Sequence, residues 1–152
     1  MSARVVYRRA RTPDELRRAD NLAARSGPYG AKPPSFYGAV WLLTEGGHDI
    51  AYGAAYLDKE AGTVTLATCG GARVARGRGL QRPLIRQVHA WARRHGILIG
   101  RTYCSADNWP SLGNLLRCGY VVVGFRSDET ASGGGYVDVE AKLRRKDGKH
   151  AE

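Results

Sequence analysis

The stretch RVARGRGLQRPLIRQVHAWARRHG, residues 73–96, decides how this chain is read. Arg76, Arg78 and Arg82 bracket Gly77 and Gly79, and the texture then becomes periodic. Leu80, Leu84, Ile85, Val88, Trp91 and Ala92 fall at the spacing of one helical face, with Arg82, Arg86, Gln87, Arg93 and Arg94 mostly off it. Upstream, TVTLATCGG (63–71) has the texture of a strand. Strand, glycine-rich turn, helix is an arrangement that binds phosphates. Glycines let the backbone come close, and the unpaired N–H groups of the first helical turn point at the anion with the helix dipole behind them. A nucleic-acid patch and a plain basic helix start are the competing readings. Two familiar phosphate motifs are absent: no Gly-Lys-Ser/Thr ending and no G-x-G-x-x-G occurs.

Working outward, VVYRRA (5–10) predicts a first strand. TPDE (12–15) predicts a helix start, with Thr12 as N-cap, Pro13 in the first position and Glu15 completing a capping box. Leu16, Ala19, Leu22 and Ala23 give that helix one apolar face, and SGPYGAKPPS (26–35) ends it in a loop. AVWLLT and IAYGAAYL flank EGGHD as a hairpin, and TVTLATCGG joins them in a three-strand antiparallel meander. After the quoted helix, ILIGRTYCS (97–105) is a buried strand. WPSLGNLLRCG (109–119) is a short helix with Pro110 near its start and Gly119 as its C-terminal cap. YVVVGF and YVDVEAKL are closing strands around the linker SDETASGGG. The expected fold is α/β, one mixed, mostly antiparallel sheet flanked by helices.

The totals fit one domain over residues 1–143 and a charged tail over 144–152. With 43% hydrophobic and 25% charged residues, and no apolar run long enough to span a bilayer, a cytoplasmic protein without a membrane role is expected. MSARVVYRRARTPDEL has no signal-peptide core. Cys69, Cys104 and Cys118 match no metal-ligand spacing, so the expectation is a reduced compartment and no metal. The net charge of +10 favours polyanionic partners: nucleic acid, a phosphorylated cofactor or an acidic protein surface.

The turn RGRGLQ (76–81) resembles the signature Arg/Gln-x-x-Gly-x-Gly/Ala of the Gcn5-related N-acetyltransferases (GNAT), with Arg76, Gly79 and Gln81 at the motif positions and Gln81 replacing the final small residue. A second family block, Asn-x-x-Ala/Ser followed at intervals by Tyr and Gly-Phe, is matched by Asn108, Ser111, Leu115, Gly119 and Tyr120. The resemblance covers roughly residues 60–126 and implies the acyl-CoA N-acyltransferase fold. It also implies acetyl-CoA as co-substrate and transfer of its acetyl group to a primary amine. The implied pyrophosphate cradle is Arg76, Gly77, Arg78, Gly79, Leu80 and Gln81. The pantetheine arm would lie along the backbone around Gly71 and Val74, where the family's strands splay and where Gly70 and Gly71 suit a bulge. Asn108, Ser111 and Asn114 would hold the cofactor from the second block.

Two family positions depart from the pattern. Leu115 stands where many relatives carry the tyrosine that protonates the thiolate, and Thr65 where some carry a glutamate base. Tyr103, on the neighbouring strand, is the candidate acid, with an ordinary core aromatic as its other reading. Asp138 and Glu140 lie on a late strand that in the family borders the acceptor. The acceptor amine is open: small molecule, peptide or nucleic acid, with a polyamine disfavoured by the net charge. Monomer and homodimer both stay open. The alternatives are a catalytically impaired acyl-CoA-binding domain and a basic nucleic-acid-binding module.

Overall fold

The computed structural model of the chain describes residues 3–27, 32–127 and 134–144. The expected element order is found. Strand β1 (Val5–Ala10) is followed by helix α1 (Pro13–Ser26), a 3-10 turn (Pro34–Tyr37), and strands β2 (Ala39–Glu45), β3 (His48–Asp58) and β4 (Thr63–Gly71). A second 3-10 turn (Arg73–Ala75) leads into α2 (Gln81–Arg94), β5 (Ile99–Ser105), α3 (Trp109–Arg117), β6 (Tyr120–Arg126) and β7 (Tyr136–Lys142). The strands form one seven-stranded sheet in the order β1-β2-β3-β4-β5-β7-β6. The pairs β1–β2, β2–β3, β5–β7 and β6–β7 are antiparallel and β4–β5 is parallel, a mixed sheet as expected. SDETASGGG and SGPYGAKPPS fall partly, and the tail beyond Arg144 wholly, outside the described residues.

The chain divides into two compact units. One holds the described residues up to Tyr56 together with Leu66–Leu84, and the other holds Leu57–Thr65 with the described residues from Ile85 onward. In the first unit the capping box is made as predicted: the Glu15 N–H donates to Thr12 Oγ1 at 3.1 Å and the Thr12 N–H to Glu15 Oε1 at 3.2 Å. Below that cap, Ala19 and Leu22 are buried with Ala10, Val40, Leu42, Tyr52 and Ala54, and Leu16 and Ala23 pack against them. The apolar spacing of α1 thus becomes a core seam.

In the second unit, α2 buries Ile85, Val88, His89 and Ala92, and α3 buries Leu112 and Leu115. The parallel ladder between β4 and β5 runs from Thr63↔Ile99 through Val64↔Gly100 to Thr65↔Arg101 and stops there, although β4 continues to Gly71 and β5 to Ser105. On its other side β5 pairs with β7 along its whole length. β6 is the outermost strand of the sheet, with Val121, Val122, Val123 and Phe125 exposed. Its register with β7 shifts between Val122↔Val139 and Gly124↔Asp138, so Val123 is an extra residue.

Candidate cofactor site

The first unit brings together Gly71, Val74 and the whole of Arg76–Gln81. Gly70 and Gly71, at the end of β4, are explained by close packing. A Cβ at Gly70 would lie 2.7 Å from Tyr52 Oη, and one at Gly71 would lie 2.8 Å from the Ile50 carbonyl oxygen. The Ala72 N–H donates to that same carbonyl at 2.8 Å, fixing where the chain leaves the strand. The 3-10 turn Arg73–Ala75 then buries Ala75 and leaves Val74 exposed.

Beyond it the backbone turns at Gly77 (φ +73°) and Gly79 (φ +71°) before α2 begins at Gln81, one residue later than the apolar spacing suggested. Both angles are in the left-handed region, so each glycine is required by conformation. Among the described residues, the N–H groups of Gly77, Gly79 and Leu80 have no protein acceptor. They lead directly into the start of α2. The Leu80 carbonyl accepts from Tyr7 Oη at 3.5 Å, and burial raises the pKa of Tyr7 so that the donor keeps its proton.

The side chains divide differently from the sequence expectation. Arg78, expected as a phosphate donor, is committed within the protein. Its Nη1 donates to Glu45 Oε1 at 3.1 Å and to the Val74 carbonyl at 3.3 Å, and its Nη2 donates to Glu45 Oε2. This guanidinium holds the Glu45 carboxyl below its usual range. Arg78 therefore staples the turn to the end of β2. Gln81 also faces inward, its amide donating to Cys69 Sγ at 3.1 Å, while burial pushes the Cys69 thiol up. Of Arg76, Arg78 and Arg82, Arg76 is the one whose exposed side chain has no partner among the described residues. The Arg82 guanidinium lies over Gly79, 3.2 Å from where a Cβ would stand.

The remaining expected residues lie in the second unit. Asn108 is the N-cap of α3, its Oδ1 accepting the Ser111 N–H at 3.3 Å, with Pro110 in the first turn. Ser111 and Asn114 are half-buried in that helix. Leu115 is buried, so the motif's tyrosine position carries a core side chain here. Tyr103 is not a core aromatic: its side chain is exposed on β5, edge to face with Tyr136 and against the Arg126 guanidinium. Asp138 and Glu140 are both in ion pairs, Asp138 with Arg126 at 2.9 Å and Glu140 with Arg101 at 3.0 Å.

One buried polar pair escaped the sequence reading. His89 Nε2 and Tyr120 Oη share a hydrogen bond of 2.8 Å beneath Gly100, where a Cβ would sit 2.9 Å from that hydroxyl. Burial, with the nearby Arg93 charge, takes the His89 pKa down to about 4, and burial raises that of Tyr120. The spacing Ile85, His89, Ala92 puts His89 on the buried face, which is the signal that could have found it. Among the described residues no helix is long and apolar enough to cross a membrane, and no group of three or more His, Cys, Asp or Glu could hold a metal ion.

No family model and no curated protein matches the sequence. Solved structures do match the fold. The ribosomal-protein-S18-alanine N-acetyltransferase of Escherichia coli superposes with a TM-score of 0.78 at 14% identity, over 93% of this chain and 96% of that one. A Bacillus subtilis acetyltransferase, in complex with CoA, gives 0.72 at 14% identity over 93% and 100%. A GNAT-family protein from Desulfovibrio desulfuricans gives 0.73 at 16% identity over 93% and 100%. The chain thus has the fold of the Gcn5-related N-acetyltransferases.

Proposed function

We propose that the chain is an acetyl-CoA-dependent N-acetyltransferase acting on a primary amine. The observation that carries this reading is the turn 77–80, where the N–H groups of Gly77, Gly79 and Leu80 have no protein acceptor among the described residues and the chain opens into the N-terminus of α2. Backbone donors of that kind fit a pyrophosphate, and the exposed Arg76 side chain adds a charge-assisted donor beside them. Gly71 and Val74 precede the turn and offer backbone to an extended arm. Asn108, Ser111 and Asn114 are assigned to the cofactor from α3. In this reading acetyl-CoA supplies an activated thioester, and the chain binds it, orients it and presents the amine.

The acceptor nitrogen must be neutral to attack, and the departing thiolate needs a proton. Leu115 cannot give one, and β4 from Thr63 to Gly71 contains no acid or histidine. We therefore assign the proton to water and give Tyr103 a binding role, argued below. The same two features favour a second reading, an acyl-CoA-binding domain without turnover.

Calorimetry with CoA tests the cradle. Gly79→Asp should weaken binding at least about a hundredfold, since a carboxylate would stand among the phosphate donors at a left-handed position. Unchanged affinity in a folded variant removes the phosphate assignment. Thiol release from acetyl-CoA over a panel of amines separates transferase from binding domain. A salt-sensitive gel shift without CoA binding would favour the basic nucleic-acid module instead.

A further inference from the structure

Strands β5, β7 and β6 of the second unit carry two neighbouring rows on one face. The register places Tyr103, Asp138 and Gly124 side by side, and Ser105, Tyr136 and Arg126 in the next row. Gly124 leaves the first row open at its outer end, with Asp138 Oδ2 3.7 Å from where a Cβ would be. Arg126 folds back into that opening. Its Nε and Nη2 donate to the two Asp138 oxygens at 2.9 Å each, and its Cζ lies 4.9 Å from the Tyr103 ring centre and 5.2 Å from that of Tyr136. The two rings meet edge to face at 5.2 Å and 84°.

A carboxylate below a planar cation and two π faces beside it are the elements of cation recognition. They are carried on paired strands, so their spacing does not depend on a ligand. The contacts are also reachable: the side chains of Arg126 and Asp138 are 42% and 34% exposed and Tyr103 is 53% exposed. Exposed ion pairs of this kind hold weakly and exchange.

We propose that Tyr103, Tyr136 and Asp138 form a recognition site for a guanidinium or ammonium group of the acceptor, and that Arg126 is the resident cation that this group displaces. The acceptor role rests on the acetyltransferase reading above; the cation site does not. Because the reacting amine has to be neutral, the group bound here is a second positive charge on the acceptor. The protein's net positive charge does not forbid this. At physiological ionic strength charges are screened beyond about 8 Å, so contact with the carboxylate and the rings decides.

Titrating methylguanidinium and butylammonium into the protein, followed by calorimetry and tyrosine-ring NMR shifts, tests the site, with butyrate as control. Arg126→Ala should bind both cations saturably and at least about tenfold more tightly than the parent, because the competing guanidinium is gone. Asp138→Asn or Tyr103→Ala added to that variant should abolish the binding. Arg126→Gln provides the same comparison should the alanine variant melt early. A folded Arg126→Ala or Arg126→Gln protein that binds neither cation, or binds butyrate equally well, overturns the site. With acetyl-CoA present, the same variant should lower KM for a diamine and leave KM for a monoamine unchanged. Cation binding without any acetyl transfer would keep the site and remove the acetyltransferase reading.

Discussion

Gly70→Ala isolates the packing that shapes the end of β4. The new methyl carbon would stand 2.7 Å from Tyr52 Oη and 3.0 Å from Cζ. Tyr52 has nowhere to go. It is 1% exposed and packed with Leu22, Val40 and Leu42, and its hydroxyl is hydrogen-bonded to Thr68. On another side, Gly27 leaves so little room that its own Cβ would sit 2.8 Å from the same oxygen. Overpacking a rigid site costs roughly 1–3 kcal/mol, and this one belongs in the upper half of that range. For a chain of this size the corresponding fall in Tm is about 4–12 °C. Tyr52→Phe removes the oxygen and loses a hydrogen bond contributing about 1 kcal/mol. In that background Gly70→Ala should cost about 1 kcal/mol less than in the parent, a coupling well above the ~0.3–0.5 kcal/mol scatter of independent sites. Urea denaturation followed by tryptophan fluorescence measures all four corners of the cycle. Strict additivity, or a neutral Gly70→Ala, would refute the claim that Tyr52 dictates glycine at position 70.

His89 is held neutral down to about pH 4, whereas an unfolded histidine titrates near 6.5. The unfolded chain therefore binds the extra proton in that window, so stability is full above about pH 6.5 and falls by roughly 3 kcal/mol as pH drops to 4. His89→Gln should flatten that slope in melts run across the range. Glu45→Ala frees the Arg78 guanidinium and should tighten CoA a few-fold by calorimetry, whereas Arg78→Ala should weaken it. If both substitutions weaken CoA equally, the pair serves only to shape the turn. Leu115→Tyr places a larger ring at a buried core position and should destabilise by about 1–3 kcal/mol with no gain in thiol release.

Much of the architecture was legible because it is written in local chemistry. The Thr12–Glu15 box, the stripe Leu84–Ile85–Val88–Ala92 and Pro110 after Asn108 each act within a few residues, and each formed as expected. The glycines of the turn were legible too, since left-handed backbone at Gly77 and Gly79 has few other occupants. What the sequence could not show was where the long side chains turn. Nothing near Arg78 in sequence indicates Glu45, thirty-three positions away, and a guanidinium goes to whichever carboxylate the sheet brings near. Gln81 likewise turns to Cys69, and the reading of Tyr103 as a core aromatic gives way to an exposed ring against Arg126. The reason for Gly70 and Gly71 lay in the tyrosine and the carbonyl of a neighbouring strand, which no spacing along β4 could reveal.

The extra residue at Val123 bears on how this protein survives at high concentration. An outermost strand with four exposed apolar side chains and no lysine or proline is a template on which a stray strand from another molecule can dock. Templating needs an unbroken repeat of donors and acceptors along the free edge. Val123 interrupts that repeat midway and locally increases the twist, so an incoming strand can match one half of β6 but not both. The irregularity thus acts as a guard against fibre-like stacking, at a place where the side chains alone would invite it.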